Sequence, residues 1–459
     1  MAASPRLNNI KNKICHMGMQ CQAQAPEPPA TSMVEWTTGL YPNVTDVQPH
    51  EPLDDYRPGG FHPVALGDTF RDGRYIVRHK LGFGGRATVW LVRDNQQDKW
   101  VSLKIKQSRH SKATLYQDQE IQALLALEGH YSETSQDKPR CFARLLDAFQ
   151  HLGPNGKHNC LVTELVGPSM SKVIGTCSAF GETLRPDTVL RAARRLLQGI
   201  DFAHHAGVAH GGPSDVSFGN VAFTCGLALN GEEDIFVALG GQPVTTNYSG
   251  SEPLPANLPH QLVKSADWDM WTDRDEEDIC LIDWGLAFPV GRVVTTLAQP
   301  IDLRSPETFF CAYFDYRHDL WRAGCAIYAL YFQESPFPFQ HGPDDVFIGE
   351  MVSKLGPLPE EWQPFWKDMQ RMNLDSQIKD ASFHLRLEEA FEERHQTIVS
   401  ECQIEDEYQK DEYSDYDFQK LKCLVRTVSD LLRYRPEHRI SAQQAASYID
   451  WTDHRNEAR

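Results

Sequence analysis

The chain has 459 residues, of which 41% are hydrophobic and 10% aromatic, and its formal net charge is -18 at pH 7. This composition excludes a wholly disordered protein, and the longest apolar runs, such as CAIYALYF, are too short to span a bilayer. The negative charge argues against nucleic-acid partners, since phosphate contacts need Lys and Arg. The length predicts two or three structural units of roughly 150 residues each.

The cysteines and the N-terminus indicate the compartment. The eleven cysteines show no C-x-x-C pairs and no regular spacing, which favours reduced thiols and gives no sign of a structural zinc site. The N-terminus lacks the apolar run of a signal peptide. We expect a cytoplasmic or nuclear protein without a membrane partner. Nothing in the sequence indicates the oligomeric state.

The first half of the chain changes from irregular to strand-like sequence. Residues 1–55 are rich in Ala, Pro, Gln, Thr and Asn and show no period of 2 or 3.6, so we expect them to be largely disordered. The fold is predicted to begin near Tyr56. In residues 74–108, β-branched and aromatic residues alternate with polar ones between Gly-rich and Asp-Asn turns, which predicts antiparallel strands. Residues 111–130 then carry a helical apolar stripe.

The second half is mainly helical by pattern. Two further strand candidates, FARLLDAFQ and HNCLVTELV, flank the turn GPNGK, and a long helix with a starting Pro follows in PDTVLRAARRLLQGIDFAHHAG. Residues 225–278 form a loop-rich insert, too long for an ordinary connection. Residues 401–417 hold eight acids and one lysine, which fits either a solvated loop or a docking surface for Arg-rich peptides.

A glycine-rich turn and two charged residues suggest a phosphate site in the strand region. LGFGGRATVWL places Gly82 and Gly84 where backbone amides can approach phosphates closely, although an ordinary hairpin turn would look similar. Lys104 follows in WVSLKIK, and Glu120 lies sixteen residues later in the predicted helix. Such a pair could grip the α- and β-phosphates of a nucleotide, whereas an isolated Lys-Glu pair is usually a weak surface ion pair.

Two later windows contain the groups that phosphoryl transfer needs. In HGGPSDVSFGNVAF, Asp215 and Asn220 have the spacing D-x-x-x-x-N, and in IDWGLAF, Asp283 follows an apolar run and precedes Trp284-Gly285. The protein must hold magnesium against phosphates and orient a hydroxyl in this reaction. We therefore predict Asp215 as the general base and Asn220 and Asp283 as magnesium ligands.

The order of these motifs resembles eukaryotic protein kinases over about residues 70–452. The match continues through SPE, the helix DLWRAG and Arg439. LGFGGRATVWLVRD, LVTELVGPS, IDLRSPE and KLGPLPEEW resemble the SR-protein-kinase-like (SRPK-like) branch of the CMGC group, particularly its fungal members. The resemblance implies an α+β fold of two lobes: a β-rich N-lobe with one helix, in residues 56–166 with its lead-in, and a larger, mainly helical C-lobe in residues 167–459.

The resemblance also implies roles for individual residues. ATP and Mg²⁺ would bind between the lobes, with Lys104, Glu120 and Asp215 as catalytic residues. The residues implied to contact the nucleotide besides Lys104 are Gly82, Gly84, Val89, Glu164, Val166 and Ala222. Glu307 of SPE and Arg439 would form a buried structural ion pair. The expected reaction is transfer of the γ-phosphoryl group to Ser or Thr of a protein substrate, with Arg/Ser-rich proteins as one implied class.

The catalytic loop departs from the family pattern. His210 and Asp215 are separated by GGPS where the family has His-x-Asp, so three residues look inserted. The arginine of H-R-D is absent, and the lysine two residues after the base is Ser217. By this resemblance His210 would pack beneath the DWG turn, so the extra residues must either bulge outward or shift the base. We predict that catalysis is slow and that activity does not depend on phosphorylation of Thr295 or Thr296.

Two other functions are compatible with parts of this sequence. A pseudokinase scaffold would keep the fold while the loop insertion impairs catalysis. A small-molecule phosphotransferase can also carry H-G-D-x-x-x-x-N, but SPE, DLW and Arg439 argue against it.

Overall fold

The computed structural model describes most of the chain. The described residues are 39–134, 140–211, 219–225, 231–268, 278–297, 299, 301–311, 313–338, 342–369, 383–402 and 415–451. Among them, no helix is both long enough and apolar enough to cross a membrane. Free thiols are present at Cys141, Cys160, Cys177, Cys225, Cys280, Cys311, Cys325 and Cys423.

An antiparallel sheet forms most of the N-lobe. Its strands are β1 (Thr69–Phe70), β2 (Tyr75–Gly84), β3 (Ala87–Asp94), β4 (Lys99–Lys106), β5 (Leu145–Gly153) and β6 (Gly156–Glu164). They lie in the order β1-β2-β3-β4-β6-β5. Because successive side chains of a strand point to opposite faces, the alternating pattern buries one face, with Val77, Trp90 and Leu103 in its core. The predicted hairpin series is confirmed.

One long helix packs on this sheet. Helix α1 (Gln119–Thr134) buries Ile121, Leu124 and Leu127, which lie on one helical face. It follows three consecutive long strands, as the sequence predicts. The last strand of the sheet, β6, ends just before the predicted lobe boundary, and the first helix of the C-lobe begins a few residues after it.

The described part of the C-lobe is mainly helical. Its helices are α2 (Met170–Phe180), α3 (Pro186–His205), α4 (Glu232–Ala238), α5 (Glu307–Phe310), α6 (His318–Phe332), α7 (Asp344–Leu355), α8 (Gln363–Met369), α9 (Phe383–Cys402), α10 (Asp415–Leu421), α11 (Cys423–Leu431) and α12 (Ala442–Tyr448). Helix α6 is buried on all sides from His318 to Tyr331 and packs against α3 and α11, so it is the centre of this lobe. The predicted α+β, two-lobed class is confirmed.

Short elements complete the fold around the cleft. The remaining strands are β7 (Val208–Ala209), β8 (Val221–Phe223), β9 (Thr245–Asn247), β10 (Gln261–Val263), β11 (Ile279–Leu281) and β12 (Phe288–Pro289). Short 3-10 helices lie at Val44–Val47, Leu53–Asp55, Ser108–His110, Leu115–Gln117, Ile301–Leu303 and Pro436–His438. The pairs β8/β11 and β7/β12 are antiparallel and bring the DWG window against the catalytic-loop window.

The expected disorder of residues 1–55 is wrong for residues 39–55, which are packed. Tyr41, Val44 and Val47 are buried with Leu262 of β10 in a small separate core. The Glu51 carboxylate is also buried and pairs with Lys80 of β2. Local periodicity could not reveal this packing, because the core combines irregularly spaced residues of positions 41–61 with Leu262 from a distant part of the chain. The packed structure therefore begins before Tyr56, while residues 1–38 lie outside the described ranges.

The described part of the insert (residues 225–278) contains a helix and a hairpin. Ile235 and Phe236 of α4 pack with Leu91 of β3, and Ala266 N–H donates to the Lys80 carbonyl at 2.9 Å. The insert leaves the C-lobe after β8 and returns to it at β11. In chain order, the insert therefore lies between two segments of the candidate site, and in the fold it contacts the N-lobe.

Three histidine rings are in contact in the N-lobe, and we predict that they make its stability sensitive to mild acid. The His62 ring lies 4.6 Å from that of His151 and 5.1 Å from that of His158, between ring centroids. Burial, and then the neighbouring imidazoles, lower the pKa of His62 to about 3. Since unfolded histidine binds a proton below about pH 6.5, the unfolded state takes up protons that folded His62 does not. The free energy of unfolding should thus fall between about pH 6.5 and 3, by up to roughly 1.4 kcal/mol per pH unit for this residue.

Urea unfolding at pH 5 and pH 7 tests this prediction. His62→Phe keeps a planar ring and loses no hydrogen bond at Nδ1, which is buried without a partner among the described residues. The variant should show a smaller loss of stability between pH 7 and pH 5 than the wild type. His205→Gln, at a mostly exposed ring, is the control and should keep the wild-type loss. Equal losses for His62→Phe and the wild type would contradict the prediction.

Candidate active site

Lys104 is the centre of the candidate site. It lies within β4, and its Nζ is 2.7 Å from Glu120 Oε1 on α1 and 2.5 Å from Asp283 Oδ1. Asp283 is 179 positions away in the chain, so the contact exists only through the fold. The structure thus brings together the predicted Lys-Glu pair and one predicted magnesium ligand.

The charges of this group stabilise one another. Burial alone would lower the pKa of Lys104, but the carboxylates of Asp283 and Glu120 raise it above its ordinary value. Burial would raise the pKa of Asp283, but the charge and hydrogen bond of Lys104 lower it overall. Lys104 and Asp283 are therefore both ionised at neutral pH. The Asp283 side chain is still 40% exposed, which leaves part of its carboxylate accessible from the cleft.

The backbone at Asp283 has a special conformation. Its φ is 61°, in the left-handed region that few residues other than glycine adopt. The buried strand β11 ends two residues earlier, and Trp284 anchors the turn by donating from Nε1 to the Leu281 carbonyl at 3.3 Å. A Cβ at Gly285 would lie only 3.2 Å from Asp283 Oδ1. The DWG sequence therefore suits a turn that directs Asp283 toward Lys104.

His210 packs beneath this turn, as the sequence analysis expects. Its ring centroid lies 4.4 Å from that of Trp284, and its Nε2 is 3.0 Å from the Ile282 carbonyl oxygen. Burial lowers the pKa of His210, so the ring is neutral and can donate its Nε2–H to that carbonyl. Asp319 of α6 accepts hydrogen bonds from the backbone N–H groups of His210, at 2.9 Å, and Gly211, at 3.2 Å. The loop insertion has therefore not displaced His210.

The predicted base, Asp215, lies outside the described residues, as does Ser217. The described residues that flank them are well held. Gly211 has a φ of 59°, and a Cβ there would lie 2.3 Å from Phe288. The described chain resumes at Gly219, directly before Asn220. The position of Asp215 relative to the cleft thus remains a prediction.

Asn220 and Asp283 lie at the same end of the β8/β11 pair. The Ile282 N–H donates to the Asn220 carbonyl at 2.9 Å, one residue before Asp283 and one residue before β8 begins. A carboxylate and an amide supply hard oxygen ligands of the kind that Mg²⁺ prefers. Magnesium usually takes only one or two protein ligands together with substrate phosphates. Within the described ranges, no group of three His, Cys, Asp or Glu is placed to hold a metal ion. A magnesium site with one or two protein ligands does not need such a group.

The glycine-rich turn has free space at both of its predicted phosphate-binding glycines. Gly82 pairs with Val89 across the β2/β3 hairpin, and Val89 pairs with Lys104 on the next strand. A Cβ built at Gly82 or Gly84 would meet no atom within 4 Å. Neither glycine has a positive φ or a packing contact that requires it. The free space therefore fits the predicted close approach of phosphates.

The predicted adenine site lies where β6 leads into the C-lobe. Glu164 ends β6, and the Val166 N–H has no hydrogen-bond acceptor among the described residues, although both residues are partly buried. Ala222 is buried in β8 and forms an isolated bridge with Ser169. A free backbone donor beside a small buried side chain is suited to binding the edge of a planar base.

The predicted ion pair between Glu307 and Arg439 is present in the C-lobe. Arg439 Nη1 and Nη2 lie 2.7 Å from Glu307 Oε1 and Oε2, respectively, and both side chains are fully buried. Arg439 also donates to the carbonyl oxygens of Arg317 and Arg433, both at 3.0 Å. The pair joins the segment that follows the DWG turn to the end of the C-lobe.

Two charged residues beside Lys104 were missed by the sequence analysis. Lys106 Nζ lies 2.6 Å from Asp118 Oδ1 and 3.0 Å from Glu120 Oε2. Asp118 directly precedes α1, and a carboxylate at that position is a recognised helix-start signal that could have revealed it. No sequence signal distinguishes Lys106 from an ordinary surface lysine.

Comparison with known proteins finds serine/threonine protein kinases, while no protein-family model matches the chain. The chain is 26% identical over 426 residues to a serine/threonine protein kinase of Aspergillus fumigatus, covering 92% of this chain and 94% of that protein. It is 34% identical over 184 residues to the serine/threonine-protein kinase SKY1 of Saccharomyces cerevisiae, covering 39% of this chain and 24% of SKY1. It is also 36% identical over 176 residues to SRSF protein kinase 3 of Homo sapiens, covering 38% of this chain and 30% of that protein.

The chain is similar to serine/threonine protein kinases, among them SR protein kinases. Its similarity to the Aspergillus fumigatus protein extends over nearly the whole of both chains. Its similarity to SKY1 and SRSF protein kinase 3 is limited to about two-fifths of its length. Protein kinases use ATP with Mg²⁺. The carboxylates of Glu120 and Asp283 around Lys104 agree with such a use.

Proposed function

We propose that the chain is an active protein kinase that transfers the γ-phosphoryl group of ATP to Ser or Thr of protein substrates. The observation that carries the proposal is the contact of Lys104 with both Glu120 and Asp283, at 2.7 and 2.5 Å. Protein kinases need the Lys-Glu pair and the metal-binding aspartate in place at the same time. In this chain, the contacts of Lys104 with Glu120 and with Asp283 support both of these conditions.

Each residue of the group would have a separate task. Lys104 would hold the α- and β-phosphates, and Glu120 would keep the lysine directed into the cleft. Asp283 and Asn220 would hold Mg²⁺, which neutralises phosphate charge when bound. Asp215, by resemblance, would orient the substrate hydroxyl and accept its proton as the oxygen takes the phosphoryl group. Gly82 and Gly84 would let backbone amides approach the phosphates.

The substrate class that we propose is Arg/Ser-rich protein. One relative is named for SRSF proteins as its substrates. The net charge of -18 and the acidic residues 401–417 support a preference for basic peptides, because carboxylates pair well with guanidinium groups. Residues 403–414 of this acidic segment lie outside the described residues, so its docking role rests on sequence alone.

A nucleotide-binding scaffold is the second candidate. The specific observation in its favour is the sequence of the catalytic loop, where Gly212-Pro213-Ser214 look inserted before the base and Ser217 replaces a lysine. A displacement of even about 1 Å can cost on the order of 100-fold in rate. A scaffold would keep the Lys104 contacts and nucleotide binding but transfer no phosphate.

A phosphate-transfer assay with purified full-length protein tests the proposal. The protein is incubated with radiolabelled ATP, Mg²⁺ and an Arg/Ser peptide, and a peptide with Ala in place of each Ser is the blank. Lys104→Met removes the ammonium group and should lower incorporation by about 100-fold or more. Lys157→Met is the matched control, since Lys157 lies on β6 of the same lobe and its Nζ donates to the Ala113 carbonyl at 2.8 Å.

Three results would separate the candidates. Incorporation by the wild type and Lys157→Met but not by Lys104→Met supports the kinase. Equal background incorporation by all three proteins, together with wild-type binding of Mg-ADP, supports the scaffold. If the wild type shows no incorporation and does not bind Mg-ADP, both candidates are contradicted.

A further inference from the structure

A second lysine of β4 reaches the same helix as Lys104. Lys104 and Lys106 are two positions apart on a strand, so their side chains lie on the same face of the sheet. Lys104 contacts Glu120 Oε1, whereas Lys106 lies 3.0 Å from Glu120 Oε2. The Glu120 carboxylate is therefore held between two ammonium groups. Lys106 is the more deeply buried lysine, with 10% of its side chain exposed against 19% for Lys104.

Asp118 joins Lys106 to the start of α1. Its Oδ1 lies 2.6 Å from Lys106 Nζ and accepts the backbone N–H of Glu120 at 3.1 Å, which caps the helix. Burial would raise the pKa of Asp118, but the charge of Lys106 and the hydrogen bonds to the carboxylate lower it, so the group stays ionised at neutral pH. One buried carboxylate thus binds both the sheet and the helix terminus.

The sheet holds Asp118 from a second side as well. Asn159 of β6 donates from Nδ2 to Asp118 Oδ2 at 2.8 Å, and its own Oδ1 accepts from Gln150 of β5 at 2.9 Å. Asp118 and Asn159 are both fully buried. The start of α1 is therefore attached to β4 and β6 directly and to β5 through Asn159. These contacts lie beside the cleft and include none of the predicted nucleotide contacts.

We propose that Lys106 and Asp118 form a latch that fixes α1 where Glu120 meets Lys104. Both are positioning residues, since they act through Glu120 and Lys104. The proposal rests on the proposed function, because it concerns the nucleotide site of the same cleft.

Variants of the two residues separate this role from general stabilisation of the N-lobe. Asp118→Asn keeps a good helix cap and removes the charge, and Lys106→Met keeps the aliphatic stem. Lys106→Arg restores the positive charge. Asp94→Asn is the matched control, because Asp94 is a buried carboxylate of the same sheet whose partners are Arg74, at 2.7 Å, and backbone groups of its own turn.

Two measurements on full-length protein test the latch. The first is amide hydrogen exchange in residues 119–127, the start of α1. The second is the dissociation constant for Mg-ADP, compared at temperatures equally far below the melting temperature of each variant. If losing the latch leaves α1 correctly placed in about one molecule in ten, the apparent dissociation constant rises about tenfold. We expect this rise and about tenfold faster exchange in Asp118→Asn and Lys106→Met, with both effects largely reversed in Lys106→Arg.

The outcomes distinguish the latch from the proposed function. The latch is overturned if exchange and Mg-ADP affinity in Asp118→Asn remain within twofold of Asp94→Asn. If the wild type does not bind Mg-ADP, nucleotide-dependent function fails, and the exchange of α1 alone decides the latch. Faster exchange in Asp118→Asn but not in Asp94→Asn then supports it, and equal exchange rejects it.

Discussion

Replacing Asp283 with Asn is expected to lower the rate of phosphate transfer by about 100- to 1,000-fold, the range seen when one preorganised electrostatic group is removed. The substitution keeps the shape of the side chain but removes the negative charge that faces the cleft. It also replaces the ion pair with Lys104, now 2.5 Å long, by a contact between the ammonium group and a neutral amide. The variant should therefore hold Mg²⁺ poorly and leave Lys104 with Glu120 and Lys106 as its charged neighbours.

The dependence of ADP binding on magnesium is the sharpest measurement of this effect. The wild type should bind ADP more tightly with Mg²⁺ than without it, and Asp283→Asn should lose most of that difference. Asp430→Asn is the control, since Asp430 pairs with Arg433 at 2.7 Å on the C-lobe surface and should leave both quantities unchanged. The assignment of Asp283 as a metal ligand fails if Asp283→Asn keeps the wild-type response to Mg²⁺.

Part of this site could be predicted from the sequence because the chemistry restricts the residue types. Lys104, Glu120 and Asp283 are charged residues in strands or at a helix start, and their order resembles one family. Pattern alone did not show that they meet, since Asp283 is far from Lys104 in the chain. The resemblance supplied that contact, and the structure contains it. Asp215 stays a prediction because it lies outside the described residues.

Other features could not be predicted because their partners are distant or their signals are weak. Tyr41 and Val47 look like isolated apolar residues in a polar segment, but they pack in one small core with Leu53 and Phe61 and with Leu262 of β10. Lys106 has the same strand position as many exposed lysines, so its ion pair with Asp118 emerges only when α1 is placed on the sheet. In both cases long-range packing overrides what local composition indicates.

The buried pair of Glu307 and Arg439 carries the largest expected effect on stability. Glu307→Gln removes the charge that compensates Arg439, which is fully buried and cannot lose its proton. Breaking such a pair from one side typically costs about 3–5 kcal/mol. We expect Glu307→Gln to lower the free energy of C-lobe unfolding by that amount in urea. Asp430→Asn, which affects a partly exposed pair, should change it by less than about 0.5 kcal/mol.

The double variant Glu307→Met with Arg439→Leu tests the cause of this loss. If the cost comes from leaving a charge buried without a partner, removing both charges should recover most of the stability, because apolar replacement of a buried ion pair is often neutral. Arg439 also donates to the carbonyl oxygens of Arg317 and Arg433, which the double variant leaves without that donor, so recovery should be incomplete. A double variant no more stable than Glu307→Gln would show that these backbone contacts, rather than charge compensation, are the main contribution of Arg439.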